Sequence, residues 1–384
     1  MRASVSAAAA VLLAVLGVAC PEGRRAGPGP GEPEVVAGNR LNVLLITIDT
    51  LRPDHMGVYG YGRDTTPRID GLARRGVVFD EAYTYWPKTR GSFVAIMTGR
   101  LAAQSGYRKS HPLLLDFNPT LAWVLKQAGY DTVATVDNPN VAASLGYAKG
   151  FDRYRETWEE EALVTETDRA RAITEDGVRF LEAARPDRPF LLWLHYVNPH
   201  TPYTPPAPFR GRHTADYTGD MTVDATHLNS FHPTDSERPS KDDVDYVLGR
   251  YLENVAYADS LVGGVLGSLD RHGRYDDALV VLASDHGEAL MEHGRFLHSQ
   301  NVHREVLHIP LVIKWPASVT GFRGVVDDPV SLLDLLPTLV DGLALEGAAD
   351  GFQGRSLLPL VFGRRAAERG WRLRASGRRM RRRR

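Results

Sequence analysis

The sequence predicts an α/β domain with a mostly parallel central sheet and helices on both faces. Three observations carry this. Apolar runs rich in β-branched residues recur at LNVLLITID (41–49), FLLWLHYV (190–197) and DALVVLASD (277–285), as in strands buried on both faces. Helical patterns alternate with them, which is how crossover helices are placed between parallel strands. The chain has 384 residues, 43% of them hydrophobic, enough for one large core.

The elements follow in order. TTPRIDGLARRG (65–76) has threonines, an early proline and a closing glycine, the punctuation of a helix. GSFVAIMTG (91–99) is a short apolar helix, and TLAWVLKQAGY (120–130) is another that stops at Gly129. DTVATVD (131–137) is a strand, and ITEDGVRFLEAAR (173–185) is an amphipathic helix. Pro205 to Asp245 is polar and irregular and reads as a long insertion. Residues 246–273 form a long helix, HIPLVIKWP (308–316) a strand and SLLDLLPTLVDGL (331–343) a helix.

Four regions are expected. Residues 1–20 carry Arg2, an apolar run from Ala7 to Ala19 and then Cys20, the layout of a secretory signal. Its last five residues, LGVAC, resemble a bacterial lipobox with Gly17 at the position that usually holds leucine. Lipid anchoring at Cys20, and hence an exported, envelope-bound protein, is the expectation; an ordinary signal peptide ending in cysteine is the alternative. Residues 21–40 are rich in proline, glycine and charge and read as a tether. Residues 41–363 form the main folded domain. Residues 364–384 are a basic tail, either a lipid-binding segment or the product of a truncated or shifted reading frame.

The formal net charge of -1 conceals an uneven distribution. The tail holds eleven arginines against one glutamate, which leaves residues 1–363 with 35 basic and 46 acidic side chains. An acidic body argues against a nucleic-acid track. Cys20 is the single cysteine, so no disulfide within one chain and no cysteine-rich metal site can form.

Active groups in open α/β sheets gather at the carboxyl ends of strands. Asp49 and Asp285 both end apolar runs, and His286 follows the second. One such aspartate alone would be read as a turn cap; two, with an adjacent histidine, suggest a shared metal site.

NVLLITIDTLRPDHMGVYGY, TGR, VNPHTPYTPP, ASDHGE, EVLHIPLVIKWP and GRSLLPLVFG occur in the order of the landmarks of the sulfatase family, which this chain resembles over about residues 42–363. The resemblance implies an alkaline-phosphatase-like fold and a metal-dependent ester hydrolase. It implies that Asp49 and Asp285 are metal ligands, with Thr50 replacing the second aspartate of the family's first pair. His286 stands where many relatives have asparagine. An imidazole donor suits Zn²⁺ or Mn²⁺ better than Ca²⁺, which prefers oxygen donors.

The nucleophile departs furthest from the family. Sulfatases place a cysteine or serine, converted to formylglycine, ahead of a proline and an arginine. Here that register puts Thr89 at the nucleophile position, Gly91 at the proline and Phe93 at the arginine; Ser92 lacks the maturation context. Thr89 resembles instead the threonine nucleophile of phosphoethanolamine and lipoteichoic-acid transferases. A bound metal would lower the hydroxyl pKa, and a helix start favours an anion; the alternative is that Thr89 merely caps that helix. Arg90 and Lys88 flank it and are either oxyanion contacts or solvated charges. His200, in NPHTPY, matches the family histidine near the transferring group, and His298, in GRFLH, has the family's spacing for a basic contact or further metal ligand. His293 is a weaker candidate. Asn138 falls where many relatives carry a Lys-Trp-His segment. Arg52, Asp54 and His55 follow Asp49, and Arg52 is either a substrate contact or a turn residue.

The expected activity is hydrolysis of sulfate or phosphate esters by a metal-activated Thr89. A transferase with an alcohol acceptor and a catalytically silent binding protein are the alternatives.

Overall fold

The structure, a computed structural model, describes residues 41–107, 114, 118–234, 238–316, 323–345 and 351–361. The signal-like segment with Cys20, the 21–40 tether and the basic tail lie outside the described residues.

Eight strands build the main sheet: β1 Asn42–Ile48, β2 Val77–Phe79, β3 Asp131–Val136, β4 Arg153–Glu156, β5 Phe190–Tyr196, β6 Ala278–Ser284, β7 Leu311–Lys314 and β8 Gly324–Val326. Their order is β8-β2-β7-β6-β1-β5-β3-β4. β1 lies at the centre, parallel to β5 and β6, with Thr47 opposite His195 and Ile48 opposite Ser284. β7 runs against both its neighbours, and the other pairings are parallel. The expected fold class is therefore observed, with one reversed strand.

Side-chain alternation along each strand divides the core in two. Leu44, Ile46 and Ile48 of β1 pack on one face with Leu192, Leu194 and Tyr196 of β5. Three helices contribute to that face: α1 (Pro67–Ala73), α4 (Glu166–Ala183) and α5 (Lys241–Arg271). Val43, Leu45, Leu191 and Trp193 point the other way. They meet α2 (Thr89–Thr98), α3 (Leu121–Gln127) and α6 (Leu335–Gly342). Burial on both faces is why these strands read as continuous apolar runs.

Several boundaries differ from expectation for local reasons. α5 begins at Lys241, because Ser240 and Asp243 form a reciprocal capping box ahead of the apolar pattern. Thr165 and Asp168 do the same for α4. The described part of the Pro205–Asp245 segment is ordered against α5. It contains a short helix at Ala225–Asn229, Phe209 packs on Tyr257 and Tyr217 stacks on Tyr246. α2 begins at Thr89, two residues before the expected start. That shift places Thr89 inside the first turn of the helix, with Lys88 at the cap position.

Candidate active site

Four chain segments meet at the carboxyl edge of the sheet. β1 delivers Asp49, β6 delivers Asp285 and His286, β3 leads to Asn138, and the start of α2 brings Thr89. Asp49, Asp285 and His286 are fully buried and Thr89 is 5% exposed. One ligand atom from each of Asp49, Asp285 and His286 can be chosen so that all lie within 4.8 Å of one another. Among the described residues this is the one group of three or more such side chains close enough to share an ion.

The hydrogen bonds show which atoms are held and which are left over. His286 N donates to Asp285 Oδ1 at 2.9 Å, and Asn138 Nδ2 donates to Asp49 Oδ2 at 2.7 Å. Asp49 Oδ1 and Asp285 Oδ2 are buried and have no hydrogen-bond partner. His286 Nδ1 lies 3.0 Å from the Gly287 carbonyl, which can only accept, so Nδ1 carries the proton and Nε2 presents its lone pair. That Nε2 is 3.5 Å from Asp49 Oδ1 and 3.5 Å from Asp285 Oδ2. Burial pushes the His286 pKa down to about 4, which keeps the ring neutral. Burial, with Asp285 and Glu288 nearby, raises Asp49 well above the usual carboxylate range. Three electron-rich atoms thus converge: two buried carboxyl oxygens without hydrogen-bond partners and one imidazole lone pair. Converging lone pairs of this kind fit a divalent cation, which would relieve their mutual repulsion. The neutral imidazole and paired carboxylates are a suitable donor set for it.

The supporting contacts are specific. Ser284 Oγ donates to the His286 carbonyl at 2.7 Å and accepts from Leu51 N at 3.0 Å, tying the two ligand loops together. Tyr251 donates to the Thr50 carbonyl at 2.8 Å and accepts from Arg52 N at 3.0 Å. This holds Thr50 at φ 57°, a strained conformation for a β-branched residue. Gly287 is needed because a Cβ there would lie 2.0 Å from the Glu305 carbonyl oxygen.

Thr89 is the first residue of α2 and not its cap. Lys88 holds the N-cap position with no side-chain cap bond. The Thr89 hydroxyl instead lies 3.4 Å from His286 Nε2, at the three-residue cluster. The capping alternative is thereby removed by geometry. Arg90 and Lys88 line a cavity together with Thr89 and His298.

His200 and His298 also reach the site. The His298 ring centroid lies 4.3 Å from that of His286 and 5.1 Å from that of His200. His298 Nδ1 meets Glu288 Oε1 at 2.8 Å, between Leu297 and Ser299, which both adopt positive φ. Burial raises the Glu288 carboxyl, but His298, His200 and His286 outweigh it and hold it below its usual range. Burial and neighbouring His298 lower His200.

Other expectations resolve differently. Arg52 is committed to Asp54, Glu292 and the Glu288 carbonyl, so it is a turn residue. His55 is buried edge-on to Tyr61 and Tyr251, apart from the cluster. His293 sits at the surface with Glu305, its ring stacked on His303. Sequence reasoning missed Glu288 and the role of Asn138. Glu288 stands inside the ASDHGE landmark, so its signal was available. In sequence, Asn138 marks only the place of the Lys-Trp-His segment that many relatives carry.

A sequence model of the family described as Sulfatase matches residues 41–344. The chain is 23% identical to an N-acetylglucosamine-6-O-sulfatase of Bacteroides thetaiotaomicron, covering 88% of this chain and 74% of that protein. It is 24% identical to an arylsulfatase of Clostridium perfringens, covering 83% and 78%. The fold is similar to the crystal structure of a phosphonate monoester hydrolase of Agrobacterium radiobacter, with TM-score 0.71 at 19% identity over 87% of this chain and 79% of that one.

Proposed function

Because this chain belongs to the sulfatase family, we propose that it cleaves sulfate or phosphate esters with Thr89 as nucleophile, beside a divalent cation held by Asp49, Asp285 and His286. Family membership establishes the broader class, a hydrolase of sulfuric or phosphoric esters. The observation that carries the finer reading is the convergence of Asp49 Oδ1, Asp285 Oδ2 and His286 Nε2 with the Thr89 hydroxyl at 3.4 Å from that nitrogen.

A bound divalent cation would supply the positive charge that lowers the pKa of a nearby hydroxyl and offsets charge on the transferring oxygens. The imidazole donor favours Zn²⁺ or Mn²⁺ over Ca²⁺. Asn138 orients Asp49 through its second oxygen, the role an outer hydrogen bond commonly plays at such sites. Thr89, its hydroxyl proton released to solvent, attacks as the alkoxide: Oγ1 bonds to sulfur or phosphorus as the bond to the leaving oxygen breaks, and it departs as the alkoxide again when water opens the ester. His298 donates through Nδ1 to Glu288, which leaves Nε2 to carry a proton to that oxygen. A water that loses its proton to His298 or His200 then opens the Thr89 ester. Arg90 and Lys88 flank Thr89 and add charge beside the reacting group.

Phosphate esters should react faster than matched sulfate esters. Formylglycine hydrates to a diol, whose second hydroxyl lets a sulfated intermediate collapse by elimination. A threonine ester has no second hydroxyl and must be opened by water. Kinetics on nitrophenyl phosphate, its diester and nitrophenyl sulfate, with metal analysis, test the reading. Robust sulfate turnover with negligible phosphate turnover would overturn the order of preference. Export with a lipid anchor at Cys20 is proposed from the sequence; equal membrane association of Cys20→Ser after a salt wash would refute it.

A further inference from the structure

A cavity of about 660 Å³ has Thr89 and His298 in its wall. Its remaining described lining includes Trp86, Tyr107, Lys88 and Arg90, with no carboxylate. Two other cavities contrast with it. One sets Asp216, Asp242, Asp243 and Asp245 against Arg212. The other sets Asp54, Asp80, Glu292 and Glu305 against Arg52 and Arg304. In a body with more acidic than basic residues, the cavity beside Thr89 is thus locally cationic. Lys88 is exposed, and the buried Arg90 Nε has no hydrogen-bond partner.

The aromatic wall is built in. Trp86 and Tyr107 meet edge to face, centroids 6.4 Å apart at 82°. The Trp86 carbonyl accepts from Ser92 Oγ at 2.7 Å. Its indole lies against Gly91, where an added Cβ would come within 2.3 Å of the ring. Gly91 occupies the position of the formylglycine motif's proline. The departure that removes that motif therefore also makes room for Trp86 beside the nucleophile.

We propose that the leaving group of the substrate is a ring carrying a second negative charge, with the ring face on Trp86 and Tyr107 and the charge on Lys88 and Arg90. This rests on the reading of Thr89 as nucleophile and names the substrate class for that site. Ring faces of sugars and of aromatic groups both suit such a corner, and cations beside it select for charge.

Two arms test it. In the turnover arm, glucuronic acid 1-phosphate is compared with glucose 1-phosphate, and carboxyl-bearing nitrophenyl phosphate with plain nitrophenyl phosphate. The carboxylated member of at least one pair should have kcat/KM about tenfold higher, mainly through KM, and Lys88→Glu should reverse that ratio. Whether the sugar or the aryl pair shows it identifies the kind of ring. The binding arm needs no turnover. Calorimetry should rank carboxyphenylphosphonate above phenylphosphonate, and phenylphosphonate above methylphosphonate. Trp86→Ala and Tyr107→Ala, checked for unchanged melting, should each erase the second difference. Ratios near one in both arms, or ratios indifferent to Lys88→Glu, would overturn the proposal. Ranked binding without hydrolysis of any ester would instead remove the Thr89 reading and leave the pocket standing.

Discussion

The molecule buries carboxylates in two different ways. On the flank, Asp176 of α4 accepts from Thr135 of β3 and pairs with Arg153 and Arg155 from β4 and with Arg179 of its own helix. Burial raises its pKa, but these partners outweigh that and hold it low. At the centre, Asp49 and Asp285 are more deeply buried, yet no arginine or lysine is paired with either among the described residues. The flank site supplies its own cations and so consolidates the fold. The central site leaves two buried oxygens without partners, the feature on which the proposed cation site rests.

The largest effects should fall at the centre. Asp285→Asn should reduce stoichiometric metal and lower kcat/KM by at least about 10³-fold. In chelator it should melt no lower than the parent chain, since the change relieves the repulsion that Asp285 exerts on Asp49. Elemental analysis and calorimetry measure both, and unchanged metal content would break the comparison. Thr89→Ala should cost a similar ~10³-fold or more in turnover while metal content stays the same. Asn138→Ala should weaken metal affinity by about 10- to 100-fold through loss of its bond to Asp49.

Smaller effects should fall on stability. Asp176→Asn should leave metal content unchanged and cost about 1–3 kcal/mol, because the arginines lose their counter-charge and one of the two acceptor oxygens becomes a donor. A drop in metal content there would erase the distinction between flank and centre.

His55 sharpens the comparison by pH. It is 8% exposed, and neither ring nitrogen has a hydrogen-bond partner. Burial, with Arg52 nearby, lowers its pKa from 6.5 to about 4. A depressed folded pKa means that the native state resists protonation. Its stabilising contribution is therefore complete above the unfolded value and is lost as pH falls from about 6.5 towards 4. His55→Phe should flatten the melting-temperature profile in that window without changing metal content. A profile identical to that of the parent chain would remove His55 as its source.

The sequence by itself determined the sheet-and-helix class, because strands buried on both faces must be apolar throughout. It also singled out the two strand-end aspartates, His286 and Thr89 as candidates, because an ordered set of landmarks spans most of the chain. It did not disclose the short strands β4 and β8 at the two edges or β2 next to β8, which have too few residues for a pattern. Nor could it choose between Thr89 as cap and Thr89 as reactive hydroxyl. Only the position of α2 against the β6 loop shows that Thr89 is not the cap and that its hydroxyl faces His286, 197 positions away. Asn138 and Glu288 are similar cases. An asparagine in a turn and a glutamate after a glycine have no distinctive local signal. They acquire roles only when tertiary packing buries them beside Asp49 and His298, where an unmatched polar atom is costly and each partner counts.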